Sequence, residues 1–179
     1  MKNALYLLII LFCIAFQSCE TEIPERDNTA PEFTFKITGD GFDHTFDQNT
    51  DFANIQLNLK HDAEYNFIYT GSDQGGVKLI QWQLPGSDYI EFDDVIPSPW
   101  TDTSISPINR IIEWEGDASN PLTGNILAGT FESNSPDGTT SIAFRFLISD
   151  FGGESGAENT VSRELTILIA DHSTEIVNL

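Results

Sequence analysis

Cysteine is almost absent from this chain. Its two copies, Cys13 and Cys19, both stand within the first nineteen residues. Nothing beyond Cys19 can form a disulfide, so the folded part must hold together by buried surface alone. Basic residues are scarce as well: eight Lys and Arg face 28 Asp and Glu, for a net charge of -20. That balance excludes a surface that gathers nucleic acid or anionic headgroups, and it keeps an exported domain soluble. A sustained 3.6-residue apolar stripe is also missing after the N-terminal run, which excludes a helical bundle. Catalytic signatures are lacking too. His44, His61 and His172 lie in unrelated stretches, and no Ser sits in a Gly-x-Ser-x-Gly turn. Among the acids no pair is set apart as a two-carboxylate glycosidase would require. The chain reads as non-catalytic.

What is present begins with an address. "MKNALYLLIILFCIAFQSCE" opens on Lys2, runs apolar for thirteen residues from Ala4 to Phe16, and closes on Gln17, Ser18 and Cys19. This is the pattern of a secretion signal, and the apolar run falls short of the roughly 20 residues that a membrane-spanning helix needs. Residues 1–18 are therefore expected to be removed, and Lys2 and Cys13 go with them. From Cys19 to Pro31, "CETEIPERDNTAP" carries charge and proline with almost no apolar pattern, as a tether does.

Period-two alternation takes over at Phe33. Phe33, Phe35 and Ile37 share a face, as do Ile55, Leu57 and Leu59, and then Tyr65, Phe67 and Tyr69. Ile80, Trp82 and Leu84 follow, with Ile112 and Trp114, Ile126 and Ala128, the set Ile142, Phe144, Phe146 and Ile148, and last Leu165, Ile167 and Ile169. Gly, Pro, Asn and Asp clusters separate these runs, which predicts an antiparallel β-sandwich over residues 32–171 with a C-terminal tail at 172–179. Residues 39–53 and 85–108 read as loops with one short edge strand each, since Pro97, Pro99 and Pro107 exclude a central strand. A domain of this length buries about two-thirds of its unfolded surface, enough to stand without disulfides.

Two resemblances can now be stated. Ser18 directly before Cys19 resembles the lipobox of bacterial lipoproteins, with Phe16 where Leu is usual. It implies that Cys19 becomes a lipidated N-terminus. The acidic stretch that follows is similar to surface lipoproteins of the Bacteroidota, which implies display on the outer face of the outer membrane. The body, from "DNTAPEFTF" through "GSDQGG", "VKLIQWQL" and "IAFRFLISDFGG" to "TVSRELTILIA", resembles immunoglobulin-like and fibronectin-like extracellular modules. That second likeness implies a fold and carries no activity.

The sequence repeats Ser-Asp-x-Gly-Gly, at Ser72–Gly76 and at Ser149–Gly153. Asp can accept hydrogen bonds from nearby backbone N–H groups, and glycine supplies positive φ, so the motif reverses a strand well. If the preceding strands lie in facing sheets, the two loops meet at one end of the sandwich. Asp73 and Asp150 would then be neighbours, with Glu154 and Glu158 close by, an oxygen-rich set of the kind Ca²⁺ prefers. Simple turns and a Ca²⁺ site both remain open; no other cofactor is implied. If the first strand runs antiparallel to the strand ending at Ser72, the tether leaves from this same end. Asp47, Asn49 and Asp51 imitate the start of an EF-hand, but Phe52 and Asn58 occupy the places of its turning Gly and closing Glu. Trp82 and Trp114 fall in phase with core residues. Trp100, between prolines in a loop read as exposed, is the one aromatic expected to meet a ligand such as a sugar.

The expected function is an outer-membrane-anchored extracellular module for binding, adhesion or complex assembly. The other reading is an accessory subunit that binds glycans or Ca²⁺ for a polysaccharide-degrading or adhesion system. The partners are the membrane, through lipid at Cys19, and a surface protein or glycan.

Overall fold

Alternating apolar residues can be buried on one side only if two sheets face each other, and this is the arrangement found. A computed structural model describes residues 24–135, 138–153 and 156–179. One sheet has the order β2 (Phe42–Asp47), β1 (Glu32–Gly39), β4 (Ala63–Ser72), β9 (Gly124–Ser133) and β6 (Ile90–Phe92). The other runs β12 (Glu175–Asn178), β3 (Ile55–Lys60), β11 (Thr160–Ala170), β10 (Thr139–Asp150), β5 (Val77–Pro85), β8 (Asn109–Glu115) and β7 (Thr101–Ser106). All pairings are antiparallel except β3 with β11. Among the described residues, no helix is long and apolar enough to cross a membrane.

The core between the sheets is mainly aromatic. Phe35 from one sheet lies 4.8 Å from Phe146 and 5.2 Å from Trp82 of the other, ring centre to ring centre. Trp82 in turn meets Phe67 and Phe144 edge-on at 5.0 Å. Each such ring contributes about 1.5–3 kcal/mol by leaving water, which is how the domain does without a covalent staple. Tyr69 crosses the core and donates its hydroxyl to the carbonyls of Gln81 and Leu147 at 3.2 and 3.3 Å, tying one sheet to the backbone of the other. Burial raises its pKa, so this donor does not titrate in the working range.

The expected inward faces hold in seven of the eight runs, and the exception is β9. There Ile126 is 62% exposed and Ala128 also faces water, while Leu127 and Phe131 are fully buried. The segment "ILAGTF" offers two phases, and the one that buries Phe131 against Trp82, Phe67 and Phe144 hides more apolar surface.

Two boundaries also differ from expectation. Residues 172–179 contain strand β12, which pairs with β3, and Leu179 donates its N–H to the Asn54 carbonyl. The return to β12 is pinned at Thr174, whose N–H and hydroxyl both donate to Asp40 and whose hydroxyl lies 2.5 Å from that of Tyr65. The stretch 85–108 supplies two edge strands, β6 and β7, one to each sheet.

Candidate functional site

The two Ser-Asp-x-Gly-Gly loops do meet. β4 ends at Ser72 in one sheet and its loop leads into β5, the neighbour of β10 in the other; beyond the Asp150–Val77 pair the Phe151 N–H donates to the Gly76 carbonyl at 3.2 Å, so the loop after β10 lies beside the loop after β4. Glu32 at the start of β1 pairs with Ser72 at the end of β4. The N-terminal segment therefore leaves from the loop end, as expected from antiparallel pairing. We call this the proximal end.

Both aspartates serve their own backbone. Asp73 is 8% exposed; its Oδ2 accepts the Gly75 N–H at 2.8 Å, and its own N–H donates to the Thr123 carbonyl at 2.9 Å. Asp150 is 2% exposed and accepts three hydrogen bonds, from Gly152 N–H at 2.8 Å and from the Asn159 N–H and Nδ2, each at 2.7 Å. The carboxylates are thus occupied as turn acceptors. Burial first, then the charge of Asp27 and to a lesser degree that of Asp150, pushes the Asp73 carboxyl up to about 6, against the pull of the Gly75 and Gly76 N–H groups.

The residues expected to join them divide. Glu158 forms an ion pair with Lys78 at 2.5 Å. Glu154, like Cys19, lies outside the described residues. Among the described residues, no three His, Cys, Asp or Glu side chains are placed to hold a metal ion. Asp47 and Asp51 of the EF-hand imitation close local turns, Asp47 onto the Asn49 N–H at 2.9 Å and Asp51 onto Asn54 Nδ2 at 2.8 Å.

Trp100 is not the exposed aromatic that its neighbouring prolines suggest. It is 5% exposed, stands 6.4 Å from the Tyr69 ring, and donates Nε1–H to the Ile126 carbonyl at 3.2 Å. Strand β6 pairs only with the Phe131–Ser133 end of β9. The following loop runs along the remainder of that edge, where Trp100 covers the gap and caps a free carbonyl.

What the proximal end holds, and what the sequence reading missed, is the chain's own N-terminal segment. A Cβ placed on Gly75 would come within 2.8 Å of the Asp27 backbone nitrogen, and one on Gly153 would collide with Asn28 Oδ1. Asn159 Nδ2 also donates to the Thr29 carbonyl at 3.3 Å, and the Arg26 guanidinium stands 6.0 Å from the Phe151 ring centre. Within each Gly-Gly pair a single glycine takes positive φ, Gly76 at 105° and Gly152 at 72°. The other glycine of each pair is the place where the segment approaches. A second glycine beyond what the turn requires was the readable signal.

A cavity of about 640 Å³ opens beside this junction, lined by Thr29, Glu32, Ser72, Asp73, Gln74 and Thr123 among others.

No described protein family matches the chain, and no curated protein matches it significantly. Among solved structures it is similar to a cohesin module from a family 33 glycoside hydrolase of Clostridium perfringens, at 10% identity over 64% of this chain and 95% of that one, with a TM-score of 0.37. A non-cellulosomal cohesin from the archaeon Archaeoglobus fulgidus gives 13% identity over 65% and 91%, also at 0.37. AggA, the major subunit of aggregative adherence fimbriae type I of Escherichia coli, gives 10% over 80% and 99%, again at 0.37. Likeness this loose carries nothing about function, and the two-layer fold stands on its own strand pairing.

Proposed function

We propose that this protein is a non-catalytic surface module of the bacterial outer membrane, anchored by lipid on Cys19, which binds or assembles with another surface component. The observation that carries the reading is the N-terminal pattern: a basic residue, a thirteen-residue apolar run and a small residue before the one cysteine outside that run. Its setting agrees. An acidic domain without disulfides follows, its N-terminal segment gathered at one end, and the carboxylates at that end are spent on their own turns. Globomycin treatment or Cys19→Ala should leave the precursor uncleaved or move the protein out of the membrane fraction. Unchanged mass and fractionation would remove the anchor from the reading.

A second reading, an accessory glycan-binding subunit, is favoured by the proximal cavity, whose hydroxyl, amide and carboxylate lining suits a polyhydroxylated ligand. A glycan array probed with the wild type and with Gln74→Ala tests it; no ligand for the wild type would dismiss it.

A further inference from the structure

We propose that residues 25–30 form a releasable strap seated between the two Ser-Asp-x-Gly-Gly loops, and that proton uptake by Asp73 beneath it tightens the seat. The inference does not rest on the lipid anchor.

The geometry has three parts. Two glycines provide the floor, since a Cβ on Gly75 or Gly153 would occupy space taken by Glu25, Arg26, Asp27 and Asn28. Polar and ring contacts hold the strap from the second loop, through Asn159 on the Thr29 carbonyl and Phe151 beside Arg26. Within the strap, Asp27 Oδ1 accepts the Thr29 N–H at 2.6 Å and fixes the local bend. The strap has no strand ladder of its own, its first ladder position being Glu32. It is held by few bonds, as a segment that opens and closes must be.

Charge works against this seat. The Asp27 backbone lies against Gly75, whose N–H is held by the Asp73 carboxylate, and the negative charges of Asp27 and, less strongly, Asp150 both act on Asp73. Of the other charged groups at this end, Glu32 lines the adjoining cavity, Arg26 is turned to Phe151, and Glu158 is neutralised by Lys78. Lifting the strap removes the Asp27 charge and opens Asp73 to water, so the released state holds the Asp73 proton less tightly than the seated one. By linkage, protons favour seating. The raised Asp73 carboxyl, titrating at about 6, puts the change in a range that an extracellular environment crosses.

Amide exchange in the intact protein, as cells process it, reads the strap directly, with intrinsic rates corrected for pH. Residues 25–30 should be protected about ten-fold more near pH 5 than near pH 7.5. Asp73→Asn should show the higher protection at both values. Gly153→Val should lose it at both, while the amides of β10 stay protected and show that the sandwich is intact. Free exchange of 25–30 at both pH values overturns the strap. Equal protection at both pH values in the wild type overturns the proton dependence, and retained protection in Gly153→Val overturns the glycine seat.

Discussion

The two Ser-Asp-x-Gly-Gly loops are spelled alike and used differently. In both, the aspartate accepts the N–H two residues on. In the first loop Gly75 admits the strap and Gly76 takes the positive φ, whereas in the second Gly152 takes the positive φ and Gly153 admits the strap. The aspartates differ too. Among the described residues Asp150 is wrapped by three donors, two of them from Asn159, while Asp73 is held by N–H groups of its own loop and feels the charge of Asp27. The motif fixes a turn, and its neighbours decide which glycine bends and what the charge costs.

Five substitutions would break or sharpen that contrast. Asp150→Ala takes the acceptor from the Gly152 and Asn159 N–H groups, leaves Asn159 Nδ2 with the Thr29 carbonyl alone, and should cost about 3 kcal/mol in urea unfolding, with Asp73→Ala costing less than half as much. Equal losses would end the distinction between the loops. Asn159→Ala, which removes one bond to Asp150 and one to Thr29, should cost about 1.5 kcal/mol, and a neutral result would show that Asp150 is satisfied without it.

Asp73→Asn tests the charge itself. A carboxyl raised from 3.8 to about 6 gives stability that is fully present below 3.8 and lost as pH rises through about 6. The wild type should therefore melt higher near pH 5 than at pH 7.5. The Asn variant, which keeps the acceptor for Gly75, should gain about 3 °C at pH 7.5 and nothing near pH 3.5. A wild-type melting temperature that falls between pH 7.5 and 5, with the variant following it, would contradict the assignment. The smallest effect is expected from Phe151→Gln, which makes the second loop read more like the first. Losing the ring beside Arg26 should cost about 0.5 kcal/mol and raise strap exchange slightly. A loss above about 2 kcal/mol would mean that Phe151 supports the sheets rather than the strap.

Much of the sandwich was legible because alternation places one large apolar residue in every second position, as in Phe33, Phe35 and Ile37, each at most 1% exposed. Legibility failed where both phases were apolar. Around Ile126 and Leu127 the decision came from a distant partner, the ring cluster that receives Phe131. It failed again at Trp100, because local prolines say that a segment is not a central strand but cannot say which open edge it covers. The parallel pairing of β3 with β11 and the return of β12 through Thr174 depend on long-range contacts that no local pattern announces. At the proximal end the meeting of the loops was readable from their places after facing strands. The strap was not, because a charged, proline-bearing segment looks the same whether it floats or is held.

Seating the strap changes how far the body can wander. Were the chain moored through lipid at Cys19, as proposed, an extended run to Pro31 would reach about 42 Å, whereas with the first seated residue at Glu25 the slack would end near Pro24, at about 17 Å. The sandwich would then swing within a radius shorter than its own longest strand, and mild acid would draw the leash in.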